Sequence, residues 1–445
     1  MVIGCVAPLT GPYAAVGQVM SASLVAATGH IHRDLGGTYG GYRPSVITAD
    51  APLTPADGQA AYARLAAKKV NAILWCGAQG LAETLPAIVR DLIPVISVGT
   101  DLQSRAAIDP QVPDLSTPAA AGFPVFQTSV PDGAAMDLLL RYAAADRGFQ
   151  RAALVWSTNA SPGTDAAFVA ACRRHGLANV GTPGFDSTGG PPDLTATANA
   201  LRSTGAEAVL VVASAPDAAA LAIALDQLGA GYVDTPTAKV RFAPMLLGVP
   251  AATASVLFTR TAGAHAARGT AGASGLGAVV GLPGSPLRTW MRRFVPGYNG
   301  GLPQGGEDGH ADALAALLAA AGAARSTAGA DIVAALEAGP PVQFATPVPI
   351  GFGPGRHLSV VADDLCVQTV EYAPQPRYNL GADWSAIFPA GYRAPDLLVD
   401  FTLDANRRAN PALVSRIVGG RYGISSQASY QGGDPAKISA CSAVH

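Results

Sequence analysis

The chain has 445 residues, 49% of them hydrophobic, with 29 basic against 31 acidic residues and a formal net charge of -2. That length suits two domains with large cores and leaves room for an extension. Charged residues are only 13% of the chain and form no basic block or stripe, which argues against a nucleic-acid partner; no run of about 18 or more apolar residues occurs, so no membrane-spanning helix is expected.

The first hundred residues alternate strand and helix. VIGCVAP (2 to 8) reads as a buried strand, Tyr13 to His32 as a helix ended by Gly36-Gly37, PSVITAD (44 to 50) as a strand and Pro55 to Lys69 as an amphipathic helix. NAILWCG (71 to 77), the helix Gly80 to Arg90 and IPVISVG (93 to 99) continue the series. Repeats of this length imply right-handed βαβ units, a parallel sheet and helices on both faces. A second series follows a Pro, Ser and Asp-rich loop (109 to 118). It runs through FPVFQTSV (123 to 130), helix Asp132 to Asp146, strand RAALVWS (151 to 157), helices Thr164 to His175 and Asp193 to Thr204, strand EAVLVVAS (207 to 214), helix Pro216 to Leu228 and strand APMLLGVPA (243 to 251).

Beyond residue 252 the expected elements are a helix, a strand-like GLGAVVGLP (275 to 283), a helix carrying Trp290, Met291 and Phe294, an alanine-rich helix Asp308 to Ala323, and a helix Ala330 to Ala338. Residues 342 to 372 read as β, with IGFGPG a turn, and the last 70 or so as an irregular extension with one short helix near Pro411 to Val418. The chain opens on Met1-Val2-Ile3-Gly4 inside a strand, with no signal peptide. An exported protein carries its leader upstream, so this start reads as trimmed and says nothing about compartment.

Catalytic signatures are missing where a doubly wound enzyme would show them. There is no GxxxxGK[ST], GFGPGR (351 to 356) has Pro where a nucleotide-binding helix begins, and GTAGASGLG around Ser274 lacks nucleophile-elbow spacing. Seven histidines form no metal pair, and no cofactor or metal is expected. Glu307, Asp308 and His310 cluster, but Asp308 reads first as the cap of the alanine-rich helix, with Glu307 favouring its dipole. The five cysteines read as buried thiols. In an exported chain Cys5 with Cys76, on neighbouring strands of the expected sheet, and Cys366 with Cys441 are the pairs open to oxidation, leaving Cys172 free.

VAPLTGPYAAVGQ, the strand ending in Asp50, NAILWCGAQG, DLIPVISVGT, VFQTSVPDG, PDAAALAIALDQLG and GHADALAALLAAA occur in an order and spacing that resemble the type I periplasmic solute-binding proteins of the branched-chain amino acid family, over about residues 2 to 372. The resemblance implies two doubly wound parallel-sheet lobes joined by a three-strand hinge, lobe one being 1 to 123 plus 252 to 341 and lobe two 124 to 251 plus 342 to 375, with 376 to 445 an extension. It implies crossings near 121 to 126, 247 to 254 and 340 to 346, a small solute trapped in the cleft, no catalysis, an ABC transporter permease as partner, a monomer, and a periplasmic or lipid-anchored location.

Carried over residue by residue, the family's Ser/Thr loop after the third strand corresponds to Gly77-Ala78-Gln79-Gly80, without hydroxyls, and the loop after the fourth strand to Gly99-Thr100-Asp101. Gln79 can donate and accept, Thr100 offers a hydroxyl, and Asp101 a carboxylate for an amine or sugar hydroxyl. Tyr13 is the aromatic candidate in the first turn. The second lobe supplies Asn159 and Ser161 where the family often has a stacking Tyr, then Ser214, and Val249 where amino-acid binders carry an acid. Those departures put a branched-chain amino acid in doubt. The sparse charge on the mapped loops points to a less ionic solute, such as an aromatic acid, amide, polyol or other catabolite, with an amino-acid-like solute still open. Trp75 and Trp156 read as core before cleft lining. The rival readings are a ligand sensor of the amide-regulator type and an enzyme built on Asp101 or the Glu307/His310 group.

Overall fold

The structure is a computed structural model and describes residues 1–107, 109–158, 163–187, 192–228, 244–250, 252, 258, 262, 266, 270–275, 286–295, 308–345, 349–359, 365–370, 413–417 and 426–429. The chain divides into two compact units, Met1–Pro131 with Gly284–Val361, and Asp132–Pro283 with Ala362–His445.

Unit 1 is built on five strands, β1 (Val2–Ala7), β2 (Ser45–Asp50), β3 (Ala72–Cys76), β4 (Val95–Val98) and β5 (Val125–Gln127), in the order β2-β1-β3-β4-β5. All pair in parallel. Side chains alternate across a strand, and both faces are apolar because helices cover both. Ile3, Cys5, Ala7, Leu74, Cys76 and Phe126 pack toward α1 (Ala14–Asp34), α8 (Pro286–Phe294), α9 (Asp308–Ala324) and α10 (Gly329–Ala338). Val6, Ile73, Trp75, Val95 and Val125 pack toward α2 (Pro55–Ala67) and α3 (Leu81–Asp91). Cys5 and Cys76 lie on β1 and β3 with their sulfurs 3.2 Å apart, both buried free thiols. Burial, then the neighbouring Cys5 thiol, pushes the Cys76 thiol well above its ordinary range. Cys172 is free and buried too, and Cys441 lies outside the described residues.

FPVFQTSV was expected to open the second domain, yet β5 closes the first sheet. Val95 pairs with Val125 and Ser97 with Gln127, while Gln127 exchanges backbone bonds with His357 and Ser359 at 2.8 and 2.9 Å. The segment 349–359 therefore belongs to unit 1. Its His357 is buried, bonding the Val125 carbonyl through Nδ1 and Glu337 through Nε2, and stacking on Phe126. GFGPGR is a two-residue turn, with Gly353 and Arg356 exchanging both backbone bonds.

Unit 2 carries β6 (Arg151–Ser157), β7 (Ala178–Asn179), β8 (Gly184–Phe185), β9 (Ala208–Val212), β10 (Met245–Gly248), β11 (Ala271–Gly275), β12 (Leu365–Val370), β13 (Leu413–Ile417) and β14 (Ser426–Ser429). The path is β14-β13-β12-β11-β10-β9-β6-β7, with β8 beside β6. From β11 to β7 the sheet is parallel, and β12, β13 and β14 add antiparallel pairs. Its helices include α4 (Asp132–Arg141), α5 (Thr164–His175), α6 (Thr195–Thr204) and α7 (Ala215–Gln227).

Three expectations shift here. The strand placed at 275 to 283 lies at Ala271–Gly275, beside β10, and belongs to unit 2; residues 276 to 283 lie outside the described set. The helix expected near Pro411 to Val418 is β13, because β12 offers Leu413 to Arg416 an antiparallel partner; Pro at a helix start is a local preference that tertiary pairing overrides. The unit boundaries fall at 131/132, 283/284 and 361/362 rather than at the expected crossings.

The turn after β1 depends on one close approach. A Cβ at Gly17 would stand 2.1 Å from the Pro8 carbonyl oxygen, a distance at which the backbone must move. Gly17→Ala is expected to cost about 1–3 kcal/mol, as overpacking does. Thermal denaturation checks this against Gln18→Ala, an exposed neighbour that should leave the melting temperature unchanged.

Candidate functional site

In a parallel sheet the loops after the strands gather at one edge, where ligands bind in doubly wound folds. At that edge of unit 1 stand the turn after β1, the loop 77–80 after β3, the loop 99–102 after β4 and residues 128–131 after β5. Tyr13, Gly77, Ala78, Gln79, Gly99, Thr100 and Asp101 therefore share one edge of one sheet. Ser214 and Val249 follow β9 and β10 in unit 2. Asn159 and Ser161 lie outside the described residues.

Asp50 holds the first turn in place. Its Oδ1 accepts the Leu9 N–H at 2.8 Å and the Thr10 N–H at 3.2 Å, and its Oδ2 accepts the Thr10 hydroxyl at 2.6 Å. Gly11 turns the chain with φ +77. Tyr13 then starts α1, its carbonyl accepting the Val16 and Gly17 N–H groups, and it is half-buried.

The Ala78 carbonyl governs the second loop. It accepts the Trp75 indole N–H at 2.6 Å and the Thr100 hydroxyl at 3.1 Å, so β3 and β4 are joined beyond the end of their ladder. Trp75 is fully buried, which makes it core that also shapes the loop. The start of α2 presses on the same loop from below, where a Cβ on Gly58 would stand 2.1 Å from the Gln79 carbonyl oxygen. That start is fixed by a capping box between Thr54 and Asp57. Within this frame the Gln79 side chain is half-buried and makes no hydrogen bond among the described residues.

The third loop is tied by Gln127, a buried polar residue. Its Oε1 accepts the Leu102 and Gln103 N–H groups at 2.8 and 3.0 Å, and its Nε2 donates to Asp101 Oδ1 at 2.9 Å and to the Ser129 carbonyl at 3.1 Å. Asp101 also accepts from the Ser104 N–H and hydroxyl. The Thr100 carbonyl accepts the Ser97 hydroxyl at 2.6 Å and the Ser129 hydroxyl at 3.1 Å. Thr100 and Asp101 thus spend their polar groups on loop geometry.

In unit 2, the Ser214 hydroxyl caps α7, accepting the Asp217 N–H at 3.4 Å and donating to Asp217 Oδ2 at 2.7 Å. Val249 is 1% exposed, a core residue. Trp156, near the end of β6, is half-buried, and its buried indole N–H has no hydrogen-bond partner among the described residues. No group of three or more His, Cys, Asp or Glu among the described residues is placed to hold a metal ion. Glu307 lies outside those residues, and His310 is buried on α9. Sequence reasoning missed Gln127, whose signal was a lone amide in the apolar strand VFQ.

A family model described as periplasmic binding protein matches residues 1–363. The chain belongs to this family. It is a family of extracytoplasmic solute-binding proteins with the type I fold, associated with ABC transporters and without catalytic activity. No curated protein sequence matches the chain at a significant level. Among solved structures, a type 1 periplasmic binding protein from Bordetella pertussis Tohama I is 19% identical with a TM-score of 0.67, covering 83% of this chain and 96% of that one. A solute-binding protein of an ABC transporter from Rhodopseudomonas palustris BisB5, solved with 3,4-dihydroxybenzoic acid, is 17% identical with a TM-score of 0.63, over 84% and 94%. A leucine-binding protein from Thermotoga maritima MSB8 is 18% identical with a TM-score of 0.61, over 83% and 95%. At these identities the likeness is one of fold. Residues 364–445, which include β12, β13 and β14, lie beyond the family match.

Two predictions follow from the way the loops are held. Thr100→Val removes one donor to Ala78 and is expected to cost about 1 kcal/mol, read as a lower midpoint in urea denaturation. The Thr54 backbone N–H, then its hydroxyl, holds the Asp57 carboxyl below the usual carboxylate range. The resulting stabilisation is present above the unfolded value of 3.8 and is lost as pH falls through the folded one. Asp57→Asn removes it, so the melting-temperature gap between wild type and variant should close as pH drops from about 5 to about 3.

Proposed function

We propose that this protein captures a small organic solute of low charge outside the cytoplasm, using the strand-end loops of unit 1, and delivers it to an ABC transporter permease. The observation that carries this reading is the division of labour in the loops. Thr100 and Asp101 are engaged internally, while the Gln79 side chain, in the same loop as Gly77, makes no hydrogen bond among the described residues. An uncharged donor and acceptor suits an amide, hydroxyl or carboxylate oxygen rather than a zwitterion. A buried Val249 in place of an acid leaves an α-amino group without its counter-charge, which also speaks against a branched-chain amino acid. Within that class we favour an aromatic acid; the protein from Rhodopseudomonas palustris BisB5 solved with 3,4-dihydroxybenzoic acid shows that the fold accommodates one.

A thermal-shift screen against amino acids, aromatic acids, amides and polyols tests this, because a solute that binds only the folded chain raises the melting temperature by mass action. At least one neutral or monoanionic compound should raise it in a concentration-dependent way, and Gln79→Ala should reduce the shift. No shift across the panel overturns solute capture; a response confined to zwitterionic amino acids overturns the proposed class.

A further inference from the structure

The ends of β3 and β4 carry two glycines, Gly77 with φ +71 and Gly99 with φ +97, whose backbones nearly touch. A Cβ on Gly99 would stand 3.5 Å from the Gly77 Cα and 3.5 Å from the terminal methyl of Met20. One on Gly77 would stand 3.1 Å from that methyl and 3.4 Å from the Met20 sulfur. The thioether therefore lies where a side chain on either loop would project. Met20 sits in the second turn of α1, and long helical side chains lean toward the helix N-terminus, which brings its tip to the loops. Met20 packs against the core cluster of unit 1 yet is only half-buried, and Gly99, at whose Cβ position the methyl is in contact, is exposed.

We infer that Met20, with the bare backbone of Gly77 and Gly99, forms an apolar platform that receives the ring of an aromatic solute, and that Met20 is a specificity-determining residue of the site. This rests on the solute-capture reading above. Gly77 and Gly99 contribute backbone without side chains beside the Met20 methyl. A planar ring can lie on such a surface, whereas a branched aliphatic chain needs a pocket. The thioether adds the favourable sulfur–ring contact that methionine makes with aromatic groups. Gln79, two residues after Gly77, is then left for the polar substituent at the ring edge. Both glycines have φ in the left-handed region, where any other residue would be strained; a Cβ on Gly77 would also crowd the methyl at 3.1 Å, whereas one on Gly99 would only touch it.

Isothermal titration of the full chain with benzoate, 3,4-dihydroxybenzoate and L-leucine tests the inference, using wild type, Met20→Gln and Met20→Leu. Gln keeps the length of Met and brings polarity, while Leu keeps an apolar tip. Circular dichroism melts establish that each variant is folded. At least one benzoate should bind wild type more tightly than L-leucine, Met20→Gln should weaken it about tenfold, and Met20→Leu should stay within about threefold of wild type. Equal benzoate binding by folded Met20→Gln and wild type overturns the inference. So does binding of L-leucine without binding of either benzoate, although solute capture then stands. If neither these compounds nor any member of the thermal-shift panel binds, solute capture falls and the inference with it.

Discussion

The strand-end surface of unit 1 depends on one carbonyl. Ala78 O takes the Trp75 indole N–H from the core and the Thr100 hydroxyl from the neighbouring loop, which uses both acceptor sites of that oxygen. A buried carbonyl left unpaired costs about 1–3 kcal/mol, so the loop is held to a geometry that keeps both donors within reach. The rest of this loop is arranged around it. Gly77 must turn through the left-handed region, the Gln79 carbonyl is driven against Gly58, and the Gln79 side chain is left outside the network. Asp50 and Gln127 do the same for the flanking loops, each by satisfying backbone N–H groups.

This arrangement separates residues that shape the site from those that are free to recognise. Threonine and aspartate on a binding loop invite the reading that they touch the solute. Here their polar groups are engaged in loop hydrogen bonds, and in the proposed site recognition falls to plainer groups: the Gln79 amide, the backbone of Gly77 and Gly99, and Met20. Such a surface discriminates by shape and apolar contact more than by charge, consistent with a chain only 13% of whose residues are charged.

The alternation of strand and helix in unit 1 was legible in the sequence because β1 to β4 are short apolar runs flanked by Gly, Pro or Asp and the first helix is ended by Gly36-Gly37. The order of the β3 and β4 loops along the chain placed the candidate residues on one edge. Three things were not legible. β5 joins the first sheet because Val125 and Gln127 find partners on β4, a choice made by pairing across distance, not by local pattern. Leu413 to Ile417 form a strand because β12 lies open beside them. Met20 reaches the glycines through helix packing, and no spacing in the sequence ties residue 20 to residues 77 and 99.

The central claim is that the loops after β3 and β4 hold the solute. Hydrogen–deuterium exchange resolved to short peptides, with and without a solute that stabilises the chain, tests it most directly. The account predicts slower exchange in residues 77–80 and 99–102 of unit 1, where backbone N–H groups would be covered. Unchanged exchange in both loops, with protection elsewhere in unit 1, would contradict it.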